Sequence, residues 1–175
     1  MASERLCRQE HADYIGVMTI PAQSLYEEDF YAWTEQQADL LRRLPAVGNE
    51  LDLENIAEEI ESLGRSDLRA ARSLCRHIIE HFLKLEYSGL EEPADHWRDE
   101  IVEWRLQLEQ ILTRSIEAKL DMAALYRTAL RLVRRLERDV PGLTSRLPRI
   151  CPYTLDQIVS GGEDDWFPPR RAPNP

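Results

Sequence analysis

Cysteine is scarce in this chain of 175 residues: Cys7, Cys75 and Cys151 are three, odd in number and far apart. With no C-x-x-C pair, a disulfide scaffold, a zinc ribbon and a thioredoxin-like site are all excluded, and a reducing cytoplasm is the expected compartment. Glycine (7) and proline (10) are too few for a collagen-like or low-complexity chain. Aromatic residues make up only 7%, so a core has to come from Leu, Ile, Val and Ala. No apolar run approaches the roughly 20 residues of a membrane helix. Glu4, Arg5, Arg8, Glu10 and Asp13 break up the stretch where a signal peptide would be apolar. Positive charge is in deficit, 22 Lys and Arg against 32 Asp and Glu. The net charge of −10 disfavours broad nucleic-acid binding and docking on anionic lipid. No G-x-G-x-x-G or Walker loop is present, so nucleotide binding of those kinds has no support.

What is present has helical spacing and no sustained period-two alternation. Residues 1–23 are expected to form a loosely attached arm, 24–160 a single domain, and 161–175 an irregular, acidic, Pro-rich tail that Trp166 and Phe167 could pin to the body. A Ser24/Glu27 capping box opens a helix that runs to Leu44 and stops at Pro45. After a turn at Val47-Gly48-Asn49, Asp52 caps a second helix with Leu53, Ile56, Ala57, Ile60 and Leu63 as its stripe, ended by Gly64. Ser66 then starts a third, apolar over more than half its circumference to Leu85 and so central. Gly89 to Pro93 breaks the chain again. A fourth helix carries Trp97, Ile101, Trp104, Leu108, Ile111 and Ile116, and Asp121 caps a fifth that ends at Pro141-Gly142. Thr154 and Gln157 form a capping box for a short last helix. The expected fold is an all-α antiparallel bundle of four to five helices with a short C-terminal helical strap.

Charge is segregated. Residues 26–63 carry a local net charge of −9, and residues 121–150 carry +4 from seven arginines against three acids. Either the acidic second helix pairs with the basic fifth or solvates its face, or the acidic stripe docks a partner protein with a basic surface.

Four segments stand out: Tyr26-Glu27-Glu28-Asp29-Phe30-Tyr31-Ala32-Trp33, the run from Leu51 to Ser66, His81-Phe82-Leu83-Lys84, and Cys151-Pro152-Tyr153-Thr154-Leu155. Together they resemble bacterial family 29 of the domains of unknown function. The resemblance covers Leu25 to Val159. It implies a small all-helical bacterial protein and brings no known activity with it. His77 departs from the pattern, standing where an aliphatic residue is expected.

Three constellations could carry chemistry. His77-Ile78-Ile79-Glu80-His81 is an H-x-x-E-H string, the inverted zincin pattern, but such an enzyme takes its third ligand from a much larger domain. Arg72 with His77, and Arg76 with His81, have the spacing of helical ribonucleases, in which His moves a proton and Arg clamps phosphate. A pocket between the second and third helices could join Glu58, Glu59, His81 and Lys84, and a metal held by His81 with Glu58 or Glu59 belongs to the same idea. A carboxylate there would raise the His81 pKa. A di-iron pattern is missing, because no glutamate has a histidine three residues later. Trp33, Trp97 and Trp104 read as core anchors and Cys75 as a buried apolar residue. The leading expectation is a non-catalytic interaction module that binds through Glu54, Glu58, Glu59, Glu61, His81 and Lys84 and needs no metal or cofactor. The alternative is a small hydrolase or ribonuclease centred on His77 and His81. Self-association stays open.

Overall fold

Residues 22–45, 51–160 and 166–171 are described by the computed structural model, and every regular element among them is helical. The expectations for most of the arm, for the 47–49 turn and for residues 161–165 and 172–175 fall outside the described residues.

The first expected helix is two. α1 spans Ala22–Glu28 and α2 spans Phe30–Arg43. Ser24 lies inside α1 and bonds Glu28 rather than capping. Asp29 interrupts the run: its carboxylate accepts Ala32 N at 3.0 Å on one oxygen and Ser115 N at 2.9 Å on the other. An aspartate competes with the helical backbone for such donors, so the interruption forms where a distant segment supplies the second one.

The second and third expected helices are one. α3 runs unbroken over 35 residues, Leu53–Tyr87, with Asp52 as its N-cap. Gly64 does not end it. That glycine is buried on the face turned to α2, and a Cβ added to it would overlap Thr34 Oγ1. A glycine inside a helix costs about 1 kcal/mol relative to alanine. Here it lets two helix backbones come close, which sequence periodicity alone does not distinguish from a C-terminal stop.

α3 is the spine. It packs on α2, on α4 (Ala94–Ile111), on α6 (Met122–Val133) and on α8 (Leu155–Val159). The central cluster takes side chains from α3 only from Leu68 onward, with Cys75, Ile78, Ile79, Phe82 and Leu83 fully buried. Before Leu68, only Ala57 and Gly64 of α3 are buried. The first half of α3 therefore forms a two-helix hairpin with α2, and small residues set its spacing.

α4 stops at Ile111, and Ile116 belongs instead to the short α5 (Arg114–Ala118), capped by Thr113. Asp121 caps α6 as expected, but α6 passes into a 3-10 turn at Arg134–Arg138. The Glu137 carboxylate closes that turn by accepting Gly142 N and Thr144 N at 2.7 and 2.6 Å. Gly142 has φ +78°, followed by α7 (Leu143–Arg146). The Thr154/Gln157 box caps α8 in both directions.

Beyond α8 the strap is clamped by two buried charges. Arg105 on α4 donates to the carbonyls of Ile158, Gln157 and Trp166 at 3.2, 2.6 and 3.0 Å, between the rings of Phe82 and Phe167. Glu86 on α3, 3% exposed, accepts the Tyr153 hydroxyl at 2.7 Å and Arg171 Nε at 2.6 Å. Trp166 meets Phe82 edge-on.

Candidate functional site

The histidines of α3 face α4. His81 is buried, and Trp104 stands edge-on to it at 4.7 Å between ring centres. His77 lies against the same indole at 5.0 Å. His81 Nε2 is 2.8 Å from Glu100 Oε2, and Nδ1 is 3.2 Å from the His77 carbonyl. Burial lowers the His81 pKa, the Lys84 ammonium lowers it further, and Glu100 offsets only part of this. The expected rise is therefore reversed, since a desolvated ring loses more by charging than one carboxylate returns. In the neutral ring, Nε2–H serves the closer acceptor, Glu100.

His77 Nε2 lies 2.8 Å from a guanidinium nitrogen of Arg76, which donates to it. Burial and then the Arg76 charge lower the His77 pKa as well. Both Nε2 atoms of the H-x-x-E-H string are thus occupied, one by a carboxylate and one by a cation. A guanidinium where a divalent metal would sit repels that metal. Glu80 pairs with Lys84 at 2.8 Å and Arg76 at 3.8 Å, so it is not positioned over a ligand site. Among the described residues no group of three or more His, Cys, Asp and Glu side chains could hold a metal ion. The ribonuclease pairs are not assembled either. Arg72 bonds the Lys119 carbonyl at 3.1 Å, and five positions on a helix put Arg72 and His77, or Arg76 and His81, about 140° apart.

The expected pocket of Glu58, Glu59, His81 and Lys84 does not exist. All four lie on one helix, and 22 residues from Glu59 to His81 span about 33 Å. The pocket requires Gly64 to end one helix and Ser66 to start an antiparallel one, whereas α3 runs straight through both. The acidic partner of His81 is Glu100, from α4 instead.

The acidic candidates surround the hairpin. Arg42 on α2 bridges Glu54 at 3.3 Å and Glu61 at 2.6 Å, and Glu61 also meets Arg65 at 2.9 Å. These contacts hold the Glu61 carboxyl below its ordinary range, the Arg42 hydrogen bond acting most. Glu58 and Glu59 are exposed and have no ion pair among the described residues. The basic segment does not neutralise this stripe, because no arginine of residues 121–150 lies within ion-pair distance of an acid among the described residues.

The opposite flank of the hairpin is apolar. On α3, Ala57 and Gly64 mark the inner face; Ile56 and Leu63 fall about 100° to one side, and Glu54, Glu58, Glu61 and Arg65 fall to the other. Arg42 of α2 lies on the charged flank. Leu44 and Leu63 are each 54% exposed and Ile56 37%. Trp33 is not a core anchor: it sits half-buried in a surface cluster with Tyr26 and Phe30, ring centres 4.8 and 5.6 Å away. Trp97 and Trp104 do pack against the core. No helix is long and apolar enough to cross a membrane among the described residues.

No curated protein matches this chain. A crystal structure of an alpha-helical protein of unknown function from Rhodospirillum rubrum is similar, with 31% identity over 79% of this chain and 90% of that one and a TM-score of 0.71. The family model described as "Domain of unknown function DUF29" matches residues 25–167, the hairpin, the bundle and the start of the strap. The chain belongs to this family.

Proposed function

We propose that this chain is a non-catalytic interaction module that presents the α2–α3 hairpin to a protein partner with a basic surface. The observation that carries the reading is the exposed apolar flank of Ile56 and Leu63, beyond the core cluster, with the unpaired Glu59 beside it and the unpaired Glu58 across the helix. A two-helix hairpin leaves this apolar flank uncovered, and a third helix laid on it removes Leu and Ile surface from water at about 25 cal/mol per Å2. The acids on the rim then favour a partner with lysine or arginine beside its apolar face. The satisfied, tryptophan-packed state of His77 and His81 supports a structural role for them. A cytoplasmic location fits the free thiols of Cys75 and Cys151.

The test compares wild type with Ile56→Glu/Leu63→Glu and with Glu58→Lys/Glu59→Lys in quantitative affinity capture from the native host at endogenous level. The expected result is a stoichiometric partner lost in both variants while circular dichroism stays unchanged. A chain recovered alone, or a partner retained by both variants, refutes the reading.

A further inference from the structure

Four arginines line one open cleft beside α6. Arg127, Arg131 and Arg134 stand at i, i+4 and i+7 along α6 and its 3-10 extension, so they project from one face. Arg149 reaches the same cleft from the segment between α7 and α8, and Leu130 forms its floor. The cleft encloses about 620 Å3. All four arginines are exposed, and none has an ion-pair partner among the described residues. The three acids of residues 121–150 do not serve them: Glu137 is spent on the backbone of Gly142 and Thr144, Asp121 caps α6, and Asp139 forms no ion pair among the described residues.

Arg42, Arg65, Arg76, Arg98, Arg170 and Arg171 all meet carboxylates, whereas the four cleft arginines meet none among the described residues. In a protein of net charge −10, four guanidinia converge on one concavity that no acid lines. Like charges gathered at one site repel each other, and an anion in the cleft converts that repulsion into attraction. Arginine is the side chain whose planar fork matches phosphate oxygens in pairs. No aromatic ring lines the cleft, so there is no platform for a base to stack on, and recognition falls on charge alone.

We propose that the Arg127/Arg131/Arg134/Arg149 cleft binds an oligophosphate chain, three or more linked phosphates, either free or carried by a nucleotide. The site is independent of the hairpin reading: it uses different residues, ligand and helix.

The test is isothermal titration calorimetry of the whole chain with sodium tripolyphosphate, ATP, orthophosphate and adenosine, at 20 and 200 mM NaCl. Tripolyphosphate is expected to bind saturably, at least tenfold tighter than orthophosphate, and to weaken at least tenfold in the higher salt. ATP equal to tripolyphosphate assigns recognition to the phosphate chain; ATP more than tenfold tighter assigns the ligand to a nucleotide and overturns recognition by charge alone. Adenosine is expected to give no heat. Arg131→Glu/Arg149→Glu and the milder Arg127→Gln/Arg134→Gln should each lose binding by at least tenfold, with Arg98→Glu on α4 as the unaffected control. Absence of saturable tripolyphosphate binding at 20 mM salt, or binding kept by a folded double variant, overturns the proposal.

Discussion

Replacing Gly64 by alanine tests the continuity of α3 and the closeness of its packing on α2. At an exposed interior position this change stabilises a helix by about 1 kcal/mol. Here the new methyl meets Thr34 Oγ1, whose hydroxyl is buried and donates to the Tyr31 carbonyl at 2.7 Å, while Thr34 Cβ and Tyr31 Cδ2 lie at 3.4 and 3.3 Å from the added carbon. Overpacking of this kind costs about 1–3 kcal/mol, and a displaced hydroxyl loses a buried hydrogen bond worth about 1 kcal/mol. The net expectation for Gly64→Ala is a loss of about 1–3 kcal/mol. Thr34→Ala removes the obstructing oxygen. In that background Gly64→Ala should be neutral or stabilising by up to about 1 kcal/mol, a coupling of about 2 kcal/mol between the sites. Urea unfolding of the four proteins, followed by circular dichroism, measures the cycle. Additivity, or stabilisation by Gly64→Ala alone, would refute both the close approach and the single long helix.

Arg105→Ala strips three carbonyl partners and two ring contacts from the strap at once; we expect a loss of about 3 kcal/mol and faster amide exchange across 155–171 than elsewhere, read by hydrogen-exchange mass spectrometry. Because folding lowers the pKa of His77 and His81, the unfolded chain takes up their protons first. Stability should therefore fall as pH drops below the unfolded value of about 6.5, and urea midpoints between pH 7.5 and 5.5 should flatten in His77→Gln/His81→Gln; an unchanged slope counts against the burial of these rings. Burial pushes the Cys75 thiol up to about 12, so iodoacetamide at pH 8 should leave Cys75 unlabelled in the native protein and label it in urea, and native labelling would contradict the packing.

Much of the helical content can be read from residues alone, because capping and periodicity are local. Asp52, Asp121 and the Thr154/Gln157 box cap as their chemistry predicts, since each carries the oxygen that the first orphan amides need within three residues of itself. Local signals misled where a distant group competes. Ser24 and Glu27 match a capping box, yet the chain bends at Asp29, whose second oxygen binds Ser115 N from 86 positions away. Ile116 has the right spacing for α4 but packs from α5.

The candidate site divides in the same way. His77, Glu80, His81 and Lys84 are on one helix, and the helical period says so. What they touch was decided by tertiary structure: Glu100 and Trp104 come from α4, and Arg76 turns onto His77. Arg105 and Glu86 gave no signal, because a buried charge looks like a surface one until its partners are placed around it.

The sequence by itself determined that this chain is helical, where most of its helices begin, and which stripes are apolar, since these follow from side-chain size and hydrogen bonding within a turn or two. Only the tertiary structure decided that Gly64 joins two helices instead of ending one, for a glycine's missing methyl has meaning only against the atom it would have met. That one contact separates Glu58 from His81 by about two-thirds of α3, leaves the hairpin's apolar flank beyond the core, and places the acids on Arg42 rather than on the arginines of α6.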